Sequence, residues 1–450
     1  MMARQQVHEE LRRVEGELAA GDTVSLDSAR ARLDQLERWL DDSREDPESG
    51  DWHEIASTVA TARGHLERVH YRIEAAESAY AAALAHLEKS SLDELLIARR
   101  SANLLVYQGL ARLAGKDPGD WKKAAERFGE SIRLREADPE RTETLLWGLS
   151  AAWMNRGEAL SRSGDAAAWE ESIRCQEKAR AILADFDLSA RADYRSRFAL
   201  CHLNIAAAKV ELTTRHARPD PADALAHYAR AAEILRVGAE AGIEESKRVL
   251  AVVLTNASRA RLLLDANDLA ASAAEATEAL RWMEGYGADD WEMVNLELTA
   301  RCTLCLCLHS QGREGETAAE AAAEITNLAE EGLEKLARHL SLGGVPELFD
   351  PVAGPLFRFA AEAYAQHMPR FLEEFLLEHL DPERGAAGLE RSAACHEAAV
   401  ETLWAALGHL KRGGFSEIGT EAYERRVERE IEWDRCRVRL AEVRAAYFEI

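Results

Sequence analysis

The chain has 450 residues, with 56 Lys and Arg against 80 Asp and Glu, for a formal charge of -24. That acid surplus excludes a general nucleic-acid binder, whose affinity comes mostly from neutralised phosphates, and it disfavours an acidic membrane surface for the same reason. Hydrophobic content of 47% with 10 Pro, and abundant Ala, Leu, Glu and Arg, the residues that lose least on entering a helix, predict an almost wholly helical protein.

Residues 3–45 read as two charged amphipathic helices broken near Gly21, ended by the polar run DDSREDPESGD at 41–51. Residues 1–50 are therefore expected to be an N-terminal helical cap or first hairpin. From 51 to 341 long helices alternate with loops marked by Gly115 to Gly119, Gly164 with Asp165, Pro219 with Pro221, Asn267 with Asp268, and Gly312, which fits six hairpins. The segment LGGVPELFDPVAGP at 342–355 is too rich in Gly and Pro for a helix and reads as a linker. Beyond it, 356–450 reads as a C-terminal helical region in which Pro369 kinks the first helix. The last helix caps the array or pairs as a coiled coil, which would allow a homo-oligomer through the C-terminal helices.

Two residue series recur through the middle of the chain. Asn103, Asn155, Asn204 and Asn256 are spaced by 52, 49 and 52 residues, and Ala83, Ser131, Ala179, Ala231 and Ala279 by 48, 48, 52 and 48. The second series closes the segments AESAYAAAL, AAERFGESI, SIRCQEKAR, ALAHYARAA and SAAEATEAL. Each has a small residue, a ring or other side chain four later (Tyr80, Phe128, Gln176, Tyr228, Ala276), and a small residue three after that. Spacings of four and three fall on one helix face, so each segment offers a narrow stripe on which a second helix packs closely. Self-similarity at a helical period is the signature of stacked units sharing one continuous core.

These segments resemble the tetratricopeptide repeat. In AWMNRGEALSRSGDAAAWEESIRCQEKARAIL at 152–183, Trp153, Asn155, Gly157, Leu160 and Gly164 with Asp165 match the family's first helix and turn. Ser172, Gln176 and Ala179 stand at the small, aromatic and small positions of its second, and ADALAHYARAAEIL at 222–235 matches that second helix too. The resemblance implies an all-α, right-handed α-solenoid of antiparallel helical hairpins with helical caps. The usual period is about 34 residues, so a repeat of 48 to 52 requires helices longer by a turn or more.

In such arrays the first helix of each hairpin, the A helix, lines the concave surface, and an Asn at this position holds an extended peptide by its backbone. A primary amide both accepts and donates, so it pairs with a peptide group without reading the side chain. Alternatively, the Asn series bonds to neighbouring helices and fixes repeat geometry. Three A-helix segments, 97–112, 195–209 and 247–261, carry Arg or Lys and no acid, which predicts a basic groove. At about 100° per residue, Arg99, Arg162 and Arg197 lie within roughly 40° of the Asn direction and Arg100 and Arg259 within roughly 60°. Lys209, Arg261, Arg112 and Lys247 point elsewhere. The five Arg and four Asn are the candidate peptide-binding residues, and the implied partner is an acidic peptide or protein segment, a free C-terminus or a phosphorylated segment. The alternative is that these Arg pair with acids of adjoining helices.

Signals for catalysis are weak. Cys302, Cys305 and His309 share a helix face but lack a second ligand pair for zinc, and Glu67 to His70 lacks the partner motif of a di-iron bundle. HEXXH, P-loop and GXGXXG patterns are absent. The seven Cys sit mostly within helical patterns as small hydrophobes rather than as a disulfide framework. No apolar run nears the roughly 20 residues needed to span a bilayer, and the N-terminal MMARQQVHEELRR lacks the apolar centre of a signal peptide. The expectation is a cytoplasmic, non-enzymatic adaptor without cofactor or catalytic residues. The rivals are a structural scaffold with an empty groove and a sensor of a small anionic ligand or a metal-dependent helical enzyme.

Overall fold

A computed structural model describes residues 4–20, 23–42, 50–115, 117–216, 221–264, 268–311 and 317–342, with 352, 355 and 356. The expected linker at 342–355 and the C-terminal region at 356–450 lie almost wholly outside these residues, as do the coiled-coil and oligomer readings. The described residues form helices and no strand. The chain divides into two compact units, Met1–Ala224 and Leu225–Ile450.

Unit 1 begins with α1 (Arg4–Ala20) and α2 (Thr23–Asp42), a hairpin packed on α3 (Gly50–Val69). Val7, Leu11 and Val14 of α1 meet Leu33, Leu36 and Leu40 of α2 and Ile55, Val59 and Leu66 of α3 in one apolar cluster. Hairpins then follow: α3 with α4 (Ile73–Leu87), α5 (Glu94–Leu113) with α6 (Pro118–Glu136), and α7 (Glu143–Ser161) with α8 (Ala166–Leu183). Each second helix also packs on the next first helix, ending with α8 on α9 (Ala192–His216). The division between units falls within α10 (Pro221–Glu240). In unit 2, α11 (Glu244–Leu264) packs with α12 (Leu269–Met283), α12 with α13 (Trp291–Gln311), and α13 with α14 (Thr317–Ser341).

Local sequence sets these boundaries. Asp93, Thr142 and Asp165 cap α5, α7 and α8 by accepting from the backbone N–H of Leu96, Leu145 and Ala168. Gly164 has φ 80°, the left-handed turn that reverses the chain directly before the Asp165 cap. Helices α5 to α8 run 20, 19, 19 and 18 residues, which accounts for the long repeat.

The small-residue stripe is the inner face of each B helix, the second of its hairpin. Ala83, Ser131, Ala179, Ala231 and Ala279 are all 0% exposed. In the hairpins α3–α4, α5–α6 and α7–α8 the side chain between the small residues lies on a glycine of the first helix. A Cβ on Gly64 would stand 2.6 Å from Tyr80 Cδ1, one on Gly109 2.6 Å from Phe128 Cε1, and one on Gly157 2.7 Å from Gln176 Nε2. Gln176 takes the ring position in the third hairpin and donates to the Met154 carbonyl at 3.0 Å. Serine hydroxyls close the polar side of the same seams: Ser131 donates to Ala102 O and Ser172 to Gly157 O, both at 2.7 Å.

Tyr80 also meets His65 of α3, with 2.9 Å between the hydroxyl and Nδ1, and Tyr107 of α5 stands edge-on to the same imidazole with ring centroids 4.5 Å apart. Burial pushes His65 down to about 4 and Tyr80 up to about 12.

The interlock predicts opposite effects for one substitution. Gly109→Ala overpacks the Phe128 ring and lowers unfolding free energy by roughly 1 to 3 kcal/mol. Gly16→Ala, in an open stretch of α1 with nothing within 4 Å, raises it by about 0.5 to 1 kcal/mol through helix propensity. Thermal unfolding of the two variants reads the difference directly. A second prediction concerns pH. His65 takes up a proton near its ordinary value when unfolded and only near 4 when folded, so the stability it contributes is complete above pH 6.5 and is lost as pH falls toward 4. Urea titrations should show about 2 kcal/mol less loss between pH 7 and 5 in His65→Gln than in the parent chain.

Candidate functional site

With one side of each first helix buried against its own hairpin and the preceding one, a stripe on the opposite side stays open. On α7 it runs through Trp147, Ala151, Asn155 and Glu158, and on α9 through Arg197, Leu200, Asn204 and Ala207, all half-buried. On α5 the corresponding positions are Arg99, Arg100, Asn103 and Tyr107, of which Asn103 is exposed. The helical period thus brings Asn103, Asn155 and Asn204 onto the open stripes of three successive A helices within unit 1.

The hydrogen bonds of these amides differ. Asn103 Oδ1 accepts from Arg135 Nη2 at 2.6 Å. The side chains of Asn155 and Asn204 make no hydrogen bond to any described residue, and neither does Asn256 on α11 of unit 2, which is also half-buried. The reading in which the series ties neighbouring helices together therefore finds an inter-helix bond at Asn103 alone.

Most of the candidate guanidiniums are engaged. Arg99 grips Asp138 in a fork, Nε to Oδ2 at 2.6 Å and Nη2 to Oδ1 at 3.1 Å, and reaches Glu140 at 2.6 Å. This holds the Asp138 carboxyl below the usual carboxylate range. Arg100 donates to Glu54 of α3 at 3.0 Å. Arg162 donates to the Leu113 carbonyl at 3.0 Å and to Glu158 at 2.7 Å. Arg197 stacks on Trp147, its Cζ 3.1 Å from the ring centroid, and donates to that residue's carbonyl at 2.9 Å. Arg259, one turn beyond Asn256, is exposed and forms no ion pair among the described residues. The acid-free A-helix segments thus meet acids supplied by other elements.

Arginines pointing away from the Asn direction hold the hairpins together. Arg112, with a side chain 6% exposed, pairs with Glu74 and Glu77 of α4 and Asp120 of α6. Arg261 does the same in unit 2 with Asp268 and Glu275. Arg248 forks Asp290 and reaches Glu292 at 2.7 Å, the counterpart of Arg99 with Asp138 and Glu140.

One cation on the open side of unit 1 was not singled out by the sequence. Arg135 belongs to α6, a B helix, yet its guanidinium passes over Gly148 of α7 to reach Asn103 of α5. A Cβ on Gly148 would stand 2.9 Å from Arg135 Cζ. Arg135 has no carboxylate partner among the described residues, and partial burial lowers it from the usual guanidinium range.

A second concavity, of about 840 Å³, lies between α6 and α8 on the B-helix side, lined in part by Trp121, Arg133, Trp153 and Arg156. In the metal-like segment of α13, Cys305 Sγ lies 3.8 Å from the Ile325 carbonyl and Cys307 Sγ 3.4 Å from Ser272 Oγ, and burial pushes both thiols up. No group of three or more His, Cys, Asp or Glu among the described residues is arranged to hold a metal. None of the described helices is long and apolar enough to cross a membrane.

Sequence comparison matches no family model and no curated protein. By structure, the chain is similar to the apo form of RapI, with TM-score 0.50 and 11% identity over 82% of this chain and 89% of that one. It is also similar to aspartyl phosphate phosphatase F from Bacillus subtilis, with TM-score 0.41 and 12% identity over 96% and 95%. NprR in complex with its cognate peptide NprX gives TM-score 0.38 and 13% identity over 94% and 98%. At such identity the likeness to RapI is one of fold, and that fold is a TPR-like, all-α array of stacked helical hairpins.

Proposed function

We propose that this chain is a non-enzymatic adaptor that binds an extended peptide or protein segment along the open stripes of α5, α7 and α9. The observation that carries the proposal is the state of Asn155 and Asn204. Each amide is half-buried at an equivalent position of successive A helices, and neither is used by the protein. A half-buried amide with no protein partner stays available to a ligand, and a peptide group offers the matching acceptor and donor together. One amide per repeat reads the peptide backbone at intervals and leaves side-chain choice to its surroundings.

The surroundings favour an acidic segment. Arg197 is held flat on Trp147 beside this path, and in unit 2 Asn256 and Arg259 offer the same pair of amide and cation on one face. Arg99, Arg100 and Arg162 are already neutralised, so they set the shape and stiffness of the face rather than its charge. Free thiols at Cys175, Cys201, Cys302, Cys305 and Cys307 suit a reducing compartment, and we place the protein in the cytoplasm.

The test is capture of short random peptides by the immobilised full chain, with bound sequences identified by mass spectrometry and their affinities measured by titration. Asn155→Ala with Asn204→Ala should weaken captured peptides by about 5- to 150-fold, the loss of hydrogen bonds worth about 0.5 to 1.5 kcal/mol at each amide. Thermal unfolding should change by less than about 0.5 kcal/mol, because these amides hold nothing within the fold. Unchanged capture with a lowered melting point would make the asparagines structural.

A further inference from the structure

We propose that Arg135 and Asn103 form an anion seat between α5 and α7 that takes a carboxylate or phosphate group of the bound segment. The proposal deepens the peptide-binding reading and rests on it for the source of the anion, but the seat itself stands on its own geometry.

A guanidinium only donates, so the Asn103 amide must turn its oxygen toward Arg135 and its NH₂ outward. Arg135 Nε donates to Ser131 Oγ at 3.3 Å, and Ser131 in turn donates to Ala102 O, so the hydroxyl is committed and fixes the guanidinium from behind. What remains without a partner among the described residues is a set of donors: the other N–H groups of half-buried Arg135 and the NH₂ of exposed Asn103. Such a set matches an acceptor-only group and rejects a neutral donor.

The charge environment points the same way. Asp138 and Glu140, three and five residues past Arg135 in sequence, are both taken by Arg99. No carboxylate among the described residues neutralises Arg135, whereas Arg99, Arg100 and Arg162 each have one. The protein nevertheless holds this cation partly out of water, where a guanidinium remains protonated. Gly148 makes the arrangement sterically possible, because any side chain there would occupy the space of the guanidinium.

The seat is tested on the full chain with three probes: random peptides with free C-termini, the same pool with amidated C-termini, and inorganic phosphate. The parent chain should enrich acidic or free-carboxylate peptides, phosphate should compete for that enrichment, and phosphate should raise its melting temperature at constant ionic strength. Arg135→Gln should reduce the anionic enrichment about tenfold or more and abolish the phosphate shift, while still retaining neutral peptides through Asn155 and Asn204. Asn103→Ala, at an exposed position, should reduce both effects and keeps the test valid if Arg135→Gln fails to fold. Loss of the preference on amidation assigns the seat to a C-terminal carboxylate, and its persistence assigns it to acidic side chains. Equal enrichment and equal phosphate shift in parent and variants would overturn the seat and leave the amide reading intact. If the parent captures no peptide at all, the adaptor reading fails, and the phosphate shift alone decides the seat.

Discussion

A side chain laid on a glycine of its hairpin partner is the contact on which the rest of unit 1 depends. Tyr80 on Gly64, Phe128 on Gly109 and Gln176 on Gly157 each bring two helix backbones close, because the first helix offers no Cβ at that point. Close approach fixes the rotation of both helices. The B helix turns its small residues inward, where Ser131 and Ser172 bond the carbonyls they now touch. The A helix, pinned through its glycine, must turn the opposite side outward. Asn155 is two residues before Gly157, about 200° away around the helix, and the open stripe and the amide on it follow from the interlock.

Charge then divides into two roles. Many acids are taken by arginines that clasp neighbouring helices: Arg112 joins Glu77 of the preceding hairpin to Asp120 of its own, Arg99 and Arg248 hold Asp138 and Asp290 of the loops that lead to the next hairpin, and Arg261 holds Glu275 across α11 and α12. Forked pairs of this kind fix geometry as well as energy, since two parallel hydrogen bonds leave little freedom of rotation. A long helical hairpin shares only a strip of surface with its neighbour, and such clasps set the register along that strip. Against this background Arg135, with no carboxylate among the described residues, stands apart as a cation held for another purpose.

The sequence made the repeat legible because small residues and asparagines recur in one dimension at helical spacing, and burial of Ala83, Ser131 and Ala179 follows that pattern. The glycines facing the rings were less visible. Gly157 stood out through the repeat motif, but Gly64 and Gly109 become meaningful only when paired with Tyr80 and Phe128 across the hairpin. Charge was the hardest to read. Counting acids along an A helix finds none near Arg99 or Arg100, yet their partners come from the α6–α7 loop and from α3. Angular offsets from Asn103 set Arg112 apart, but they cannot find Arg135, which arrives from another helix. Its only sequence trace is Gly148 within α7, whose significance lies in the guanidinium that crosses it.

The central claim is that the open stripes of α5, α7 and α9 are the ligand face. The most direct measurement is a crystal structure of the full chain bound to a captured peptide. The account predicts an extended segment crossing α7 and α9, with the side-chain amides of Asn155 and Asn204 each paired to a peptide C=O or N–H about 2.9 Å away. A peptide seated instead in the concavity between α6 and α8, with both asparagines untouched, would contradict it.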